Sequence, residues 1–278
     1  MKVRLQKEIT GYIAHLKKEE RSPATQQQYQ RELQRFIRNL GDRPLDKNAV
    51  IAYKAALQQA YQPSSVNTKL AAINGFLVHS GRPEMKVKAL KIQKPAYCAK
   101  EKELSKKEYL QMVKTAQQQK NERLALVLQT LCGTGIRVSE LRFITVEAVE
   151  KGEAAIALKG KNRKVLLAGK LCRRLKRYIR EKKLKSGPVF ISKKGNPLDR
   201  SNLWKGMKRL CQGARVNGAK AFPHNLRHLF ARCFYAAHKD LGKLADLLGH
   251  SNINTTRIYI LSSGQEHRKQ VDALGLVL

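Results

Sequence analysis

The sequence is poor in acidic residues, and this shortage limits what the protein can bind. It has 21 Asp and Glu against 56 Lys and Arg, which gives a formal net charge of +35 over 278 residues. Such an excess of positive charge indicates a polyanionic partner, with high charge for solubility alone as the alternative. Because phosphate neutralisation would dominate this binding, we expect the affinity to fall steeply with salt.

Long apolar runs are also missing. No stretch reaches the roughly 18 apolar residues that a membrane-spanning helix needs, and the first six residues, MKVRLQ, lack the apolar core of a signal peptide. We therefore expect a soluble, cytoplasmic, nucleoid-associated protein that does not bind membranes.

Cysteines are few and are not arranged in pairs. The five of them lie far apart and contain no Cys-x-x-Cys motif: Cys98, Cys132, Cys172, Cys211 and Cys233. This spacing fits neither a zinc site nor a disulfide framework, so we expect buried thiols. No carboxylate cluster indicates a metal either, and we predict that the protein needs no metal and no cofactor.

Helical periodicity marks the first part of the chain. Ser22 and Pro23 are typical of a helix start, and an apolar stripe follows that Gly41 ends. Two further helices are predicted, one from Lys47 to Ala60 and one from Pro63 that ends by Gly81. The pattern dissolves after Lys86. We assign 1–90 to a helical domain and 91–103 to an extended basic linker.

A second domain is predicted to begin at residue 104. Ser105 and Glu108 form a capping-box pattern. The remaining predicted elements are strands at Ala154–Leu158 and Lys164–Leu167 joined by a polar turn at Lys159–Arg163, a helix at Leu171–Lys183, and a short strand at Pro188–Ser192. The fold class is thus mainly α with a small β-sheet (α+β), in two domains.

Arg137 is the first candidate for a functional role. Gly133 and Gly135 bracket a predicted tight turn that leads Arg137 into the first turn of a helix. A guanidinium there would lie beside free backbone N–H groups, which is a good place for a phosphate. Taken alone, a surface arginine at a helix start explains the pattern as well.

His224 and Arg227 lie three residues apart on a helix that Pro223 opens, so they share one face. An imidazole beside a guanidinium is unfavourable unless an anion lies between them, yet a structural role remains open.

Further along, Gly249 is a predicted helix C-cap and His250 follows in the turn. Asn254 or Thr255 could cap the next helix. Tyr259 lies nine residues beyond His250, and a lone tyrosine near a C-terminus usually serves packing.

The order of these residues resembles the tyrosine recombinase (phage integrase) family, Xer-like and without an arm-binding domain. The family pattern is Arg, Lys, His-x-x-Arg, His or Trp, and Tyr, and its slots are filled here by Arg137, Lys159, His224, Arg227, His250 and Tyr259. The surrounding segments GTGIRVSELRFIT, PHNLRHLFA and LLGHSNINTTRIY are similar to the three signature boxes of the family. The resemblance covers about 105–259 closely and the first part loosely.

The resemblance implies a chemistry. Tyr259 would attack a DNA phosphodiester and form a 3′-phosphotyrosine, with Arg137 and Arg227 holding the phosphate oxygens. Lys159 would protonate the leaving 5′-oxygen. His224 would accept the tyrosine proton or bond a phosphate oxygen.

Two further roles follow from the same resemblance. His250 would donate a hydrogen bond to the phosphate. Glu140 would orient the surroundings of Arg137, with a surface carboxylate as the equal alternative.

Two departures from the family pattern leave questions. The hairpin that often reads Gly-Lys-Gly-Asn-Lys-x-Arg reads LKGKNRK here, so Lys161 is a rival to Lys159 for the lysine role. After Tyr259 the chain reads Ile-Leu-Ser-Ser where the family often has Thr-His, which puts only local packing in doubt.

The resemblance also implies an architecture and an assembly. A SAM-like core-binding bundle at 1–90 and a catalytic domain at 104–264 would form a C-shaped clamp on DNA. The tail 265–278 would dock on a neighbouring protomer, with docking on its own domain as the alternative. We expect a homotetramer on synapsed double-stranded DNA with an inverted-repeat core site, and accessory or directionality proteins as further partners.

The implied function is site-specific recombination through a Holliday junction, for integration, excision or resolution. A type IB topoisomerase-like enzyme and a non-catalytic DNA-binding relative are the alternatives.

Overall fold

Two units, each with its own apolar core, make up the chain: Met1–Lys94 and Pro95–Leu278. The computed structural model describes residues 2–92, 103–158, 161–192, 195–259 and 272–274. The predictions for most of the linker, for Lys159, for Cys98 and for most of the tail lie outside these ranges. Among the described helices, none is long and apolar enough to cross a membrane.

The first unit contains four described α-helices. They are α1 Lys2–Lys18, α2 Pro23–Leu40, α3 Lys47–Ala60 and α4 Pro63–His79. Helices α2, α3 and α4 confirm the predicted ones, and the Ser22 hydroxyl accepts a hydrogen bond from the Thr25 N–H at 3.3 Å, as an N-cap should. Helix α1 was not predicted as a separate element, although Leu5, Ile9 and Leu16 are buried at helical spacing.

The segment that follows α4 is tied to the bundle by two asparagines. Asn74 exchanges hydrogen bonds with the backbone N–H and C=O of Val87, at 3.1 and 2.9 Å. Asn67 does the same with Leu90, at 2.7 and 2.9 Å. Each side-chain amide therefore makes the hydrogen bonds that a neighbouring strand would make with an extended backbone. Residues up to Leu90 belong structurally to the first unit.

The second unit is mainly helical around one two-stranded sheet. Its elements are α5 Lys106–Gln118, α6 Glu122–Thr134, α7 Val146–Lys151, β1 Glu153–Leu158, β2 Lys161–Leu166, α8 Gly169–Glu181, α9 Arg200–Ala214, α10 Pro223–His238, α11 Leu241–Leu248 and α12 Ile253–Arg257. The predicted capping box before α5 is confirmed. Seven of the 13 residues of α6 are buried, and the helix contacts α5, α8 and α10, so it is the central support of the unit.

The hairpin differs from the prediction. Strands β1 and β2 are antiparallel, with Leu158 opposite Lys161 and Ile156 opposite Arg163. The predicted turn at Lys159–Arg163 is therefore wrong, because β2 already begins at Lys161. Polar residues in this stretch look like a turn, but Arg163 is a strand residue whose guanidinium finds partners inside the protein.

Two smaller predictions are also corrected. The segment Pro188–Ser192 forms no strand but two isolated bridges, Thr145 with Pro188 and Ile191 with Pro197. Of the described cysteines only Cys211 is buried, and Cys233 is exposed. Cys233 lies on α10 beside a pocket that Lys106, Tyr109 and Cys132 also line.

Candidate active site

The Arg137 region begins where the central helix ends. Gly133 is still within α6, and only Gly135 adopts a positive φ, +66°, so the predicted turn between two glycines is wrong. A Cβ at Gly135 would lie 2.4 Å from the ring of Phe230, so the site requires glycine. Arg137 then stands at the N-cap of a 3₁₀ helix, Val138–Phe143, rather than in a first helical turn. Its side chain is 47% exposed and free to face a ligand.

Glu140 is the buried partner of this arginine. Its Oε2 accepts a hydrogen bond from the Arg137 backbone N–H at 2.7 Å, and its Oε1 accepts one from Arg137 Nη1 at 3.1 Å. A second guanidinium, that of Arg163, donates to Oε2 at 2.7 Å. Two cations compensate the burial of one carboxylate, so this acid holds both the backbone and the side chain of Arg137.

Arg227 is among the most deeply buried side chains, with 1% of its surface exposed. Its Nη1 donates to the Gly135 carbonyl at 2.6 Å, and its Nη2 donates to the Leu248 carbonyl and to His250 Nε2, both at 2.8 Å. Within the described residues its Nε has no hydrogen-bond partner. Burial and the nearby Arg137 charge lower the pKa of Arg227 to about 10, so it stays charged at neutral pH.

His250 is fixed on both sides of its ring. A guanidinium can only donate, so Nε2 accepts from Arg227 and Nδ1 carries the proton, which it donates to Thr256 Oγ1 at 2.9 Å. Burial and the Arg227 charge lower the pKa of His250 to about 4, which keeps the ring neutral. Thr256 comes from α12, which Asn252 caps rather than the predicted Asn254 or Thr255.

Tyr259 has a buried ring and a hydroxyl that lies next to a histidine. Its ring is 6% exposed and belongs to a small apolar cluster with Ala231, Leu244 and Leu248. Its hydroxyl lies 3.5 Å from His224 Nε2. Cluster packing therefore sets the position of the ring, while the oxygen points to the polar side of the site.

Three histidine rings surround the tyrosine. The centroids of His228, His224 and His250 lie 4.3, 5.4 and 5.5 Å from that of Tyr259. Burial, followed by the charges of Arg227, Arg137 and Arg200, lowers the pKa of His224. Burial and the neighbouring His224 lower the pKa of His228 to about 4. Neutral imidazoles next to a phenol can accept its proton.

A cavity of about 380 Å³ opens beside these groups. Arg137, Arg200, His224 and Arg227 line it, together with Asp199. Guanidinium and imidazole groups that converge on one space are suited to an anion the size of a phosphate. Arg200, at the start of α9, was not predicted as part of this site.

Family models match both units of the chain. The model of the phage integrase family matches residues 102–266, more than half of the chain. The chain belongs to the phage integrase family. A second model, the N-terminal SAM-like domain of phage integrases, matches residues 9–79.

Curated relatives of this integrase match over most of the chain. Tyrosine recombinase XerA of Pyrococcus horikoshii is 27% identical, and the match covers 97% of this chain and 94% of XerA. Tyrosine recombinase XerD of Pseudomonas aeruginosa is 30% identical over 84% of this chain and 85% of XerD.

Solved structures share the fold. A lambda integrase tetramer bound to a Holliday junction matches with a TM-score of 0.73 at 16% identity, over 92% of this chain and 76% of that one. XerH bound to its difH substrate matches with a TM-score of 0.69 at 21% identity, over 88% of this chain and 78% of that one.

Five of the six predicted catalytic residues come together in the structure: Arg137, His224, Arg227, His250 and Tyr259. Lys159 lies outside the described residues, and so does the side chain of its rival Lys161. Sequence reasoning missed four neighbours, which are Arg163, Arg200, His228 and Thr256. His228 and Thr256 lie within the signature segments but fill no slot of the family pattern. Arg163 was predicted as a turn residue, and Arg200 lies far from any motif residue.

Proposed function

We propose that this integrase is a site-specific DNA recombinase that cleaves and rejoins DNA through Tyr259. The observation that carries the proposal is the Tyr259 hydroxyl 3.5 Å from His224 Nε2, beside a cavity that Arg137 and Arg227 line. The nucleophile, a proton acceptor and two phosphate-binding cations thus lie within one site. Family membership and the Xer relatives favour recombination over the topoisomerase alternative.

The cleavage step conserves the phosphodiester bond energy. The Tyr259 oxygen bonds to phosphorus, the bond from phosphorus to the 5′-oxygen breaks, and a 3′-phosphotyrosine and a free 5′-hydroxyl result. Arg137 and Arg227 stabilise the charge that grows on the non-bridging oxygens. The 5′-hydroxyl of the partner strand reverses the step, so the exchange needs no ATP. The tyrosine proton passes to His224, whose lowered pKa keeps it ready as an acceptor.

His250 requires a different role from the predicted donor to phosphate. Its Nε2 accepts from Arg227 and its proton faces Thr256. We infer that His250 acts by orienting the Arg227 guanidinium toward the phosphate. Glu140 does the same for Arg137.

Lys159 is the proposed general acid for the 5′-oxygen, with Lys161 as the rival. A DNA with sulfur in place of that bridging oxygen separates them, because a thiolate leaves without a proton donor, its conjugate thiol having a pKa of roughly 8.5. We expect Lys159→Ala to cleave ordinary DNA slowly and the sulfur-bridged DNA at the wild-type rate. The same rescue in Lys161→Ala, but not in Lys159→Ala, would transfer the role to Lys161.

The two family-model matches support the proposed domain roles. We propose that 1–90 is the core-binding domain, 91–103 a basic linker and 104–264 the catalytic domain, and that the two domains clamp double-stranded DNA at an inverted-repeat core site. The lambda integrase tetramer bound to a Holliday junction supports a tetramer of this chain on synapsed DNA. We propose that the tail 265–278 docks on a neighbouring protomer of that tetramer. Light scattering of DNA complexes tests the tail: a chain ending at Gln265 should lose the tetramer, and an unchanged assembly would contradict trans docking.

Covalent capture tests the function without knowledge of the target site. The protein is mixed with fragmented genomic DNA and denatured, and protein-linked DNA is isolated and sequenced. We expect the linked fragments to share one inverted repeat, and Tyr259→Phe to bind DNA but capture none. Capture spread over unrelated sequences, or efficient relaxation of a supercoiled plasmid without that repeat, would instead favour the topoisomerase reading.

A further inference from the structure

We propose that Arg163 is a positioning residue that locks three segments of the catalytic site into one arrangement. The segments are strand β2, the Arg137–Glu140 segment and the end of α11 that leads into His250. The inference rests on the proposed recombinase function and adds to it a residue that acts through its contacts with Glu140 and Leu247.

The contacts of Arg163 reach two distant parts of the chain. Its Nη2 donates to Glu140 Oε2 at 2.7 Å, and its Nη1 donates to the backbone carbonyl of Leu247, near the C-terminal end of α11. The side chain is 14% exposed, although it stands on a strand of a surface hairpin. A guanidinium can serve two acceptors in different directions at once, which the single ammonium of lysine cannot do with the same geometry.

Gly249 provides a second, independent sign of this fit. A Cβ at Gly249 would lie 2.5 Å from Cδ and 2.8 Å from Nε of Arg163. The residue before His250 is therefore in close contact with the Arg163 side chain, and its φ of +66° also favours glycine. The turn therefore leaves room for the Arg163 side chain because position 249 has no side chain of its own.

The position of Arg163 connects it to both phosphate-binding arginines. Glu140 holds Arg137 through its backbone and side chain, and Arg163 is the other cation on that carboxylate. On the opposite side, Leu248 and His250 hold Arg227. Arg163 thus joins the supports of Arg137 to those of Arg227. This link adds to the bond from Arg227 to the Gly135 carbonyl, so its loss should loosen the separation of the two guanidiniums without releasing either of them.

The test uses the full-length protein and a nicked DNA duplex carrying the captured site, on which cleavage traps the covalent complex. We expect Arg163→Met to bind this DNA as wild type does and to form the complex about 10²-fold more slowly, the cost of a misplacement of about 1 Å. Lys164→Met is the matched control. It removes a positive charge at the next strand position, where the side chain is 74% exposed and pairs only with Glu153 among the described residues. This control should stay within roughly twofold of wild type, as for a surface ion pair.

Double variants separate positioning from a general structural defect. If Arg163 acts through Glu140, then Glu140→Gln and Arg163→Met together should slow the reaction little more than the slower single variant. Gly249→Ala should slow wild type more than it slows Arg163→Met, because only the strain of the turn remains once the Arg163 side chain is gone. Rates that multiply in both pairs, or an Arg163→Met enzyme within threefold of wild type, would overturn the proposal.

Folding and the parent proposal are checked in the same experiment. Should Arg163→Met unfold, Arg163→Lys keeps the charge with one contact and should give an intermediate rate with unchanged DNA affinity, whereas a wild-type rate would contradict the proposal. If wild-type protein itself forms no covalent complex, the recombinase function fails. If wild type forms the complex and the variants match it, only the role of Arg163 fails.

Discussion

At the scale of single residues, the two proposed phosphate-binding arginines differ in how the protein holds them. Arg137 is half-exposed and tethered by one carboxylate, whereas Arg227 is buried and donates to two backbone carbonyls and an imidazole. Arg227 therefore supports the fold as well as the reaction.

Alanine variants of these arginines should reflect that difference. Both should slow covalent complex formation by about 10²-fold or more, as when an oxyanion donor is lost. Arg227→Ala should also lower the free energy of unfolding by about 2–4 kcal/mol, because the Gly135 and Leu248 carbonyls lose a buried donor. Arg137→Ala should cost about 1 kcal/mol at most, since Glu140 keeps Arg163. Urea unfolding measures both values, and equal losses would contradict this account.

The lowered pKa values of two histidines near Tyr259 should make the stability of the protein depend on pH. Burial lowers the pKa of His228 and of His250 to about 4 from an ordinary value of 6.5. These groups take up protons more readily in the unfolded chain, so the stability they confer is complete above pH 6.5 and is lost as the pH falls toward 4.

We expect the free energy of unfolding to drop between pH 7.5 and 5.5 by up to about 1 kcal/mol for each of these two histidines. His228→Gln should remove its share of the drop, and urea titrations at the two pH values measure it. If the free energy of unfolding of the variant drops as much as that of wild type between the two pH values, His228 is not held neutral in the folded protein.

Short sequence motifs were enough to predict which residues lie together in the candidate site. Arg137, His224, Arg227, His250 and Tyr259 stand in order within three signature segments, and the structure places them together. Arg163 could not be predicted in this way, because its partners lie 23 or more residues away. Thr256 stands in the third signature segment but fills no slot of the family pattern, so its contact with His250 was missed.

At the scale of elements, the end of α6 determines where Arg137 lies. Gly135 turns the chain at positive φ, and its carbonyl accepts from Arg227. Gly133, two residues earlier, is still helical and has open space where a Cβ would be.

Substitution of these two glycines should have opposite effects. Gly135→Ala should destabilise the protein by more than about 1 kcal/mol and abolish cleavage, through backbone strain and collision with Phe230. Gly133→Ala should be neutral or stabilise by up to about 1 kcal/mol, since alanine is the better helix former. Thermal unfolding and the trapping assay compare them, and an active Gly135→Ala enzyme would refute this role of the turn.

Helices were easier to predict than strands in this chain. Apolar stripes define α2, α3, α4 and α5 locally, together with side-chain caps at α2, α3 and α5 and a proline in the first turn of α4. Strand β2 carries Lys161, Asn162 and Arg163, which were predicted as turn residues because the partner that buries Arg163 is distant in sequence.

At the scale of the whole molecule, the net charge of +35 predicts how binding responds to salt. If the protein contacts six or more phosphates, its DNA affinity should fall by about 10³-fold between 50 and 200 mM salt. Titration of labelled duplex at several salt concentrations gives the slope. A nearly flat dependence would contradict a backbone-dominated interface.

The central claim is that Tyr259 is the residue that becomes joined to DNA, and one measurement tests it directly. The complex trapped on a nicked duplex is digested with protease and nuclease, and the nucleotide-linked peptide is sequenced by mass spectrometry. We expect the nucleotide to be attached to Tyr259 through a 3′-phosphate, and Tyr259→Phe to yield no such peptide while still binding DNA. A nucleotide on any other residue, or an adduct formed by Tyr259→Phe, would contradict it.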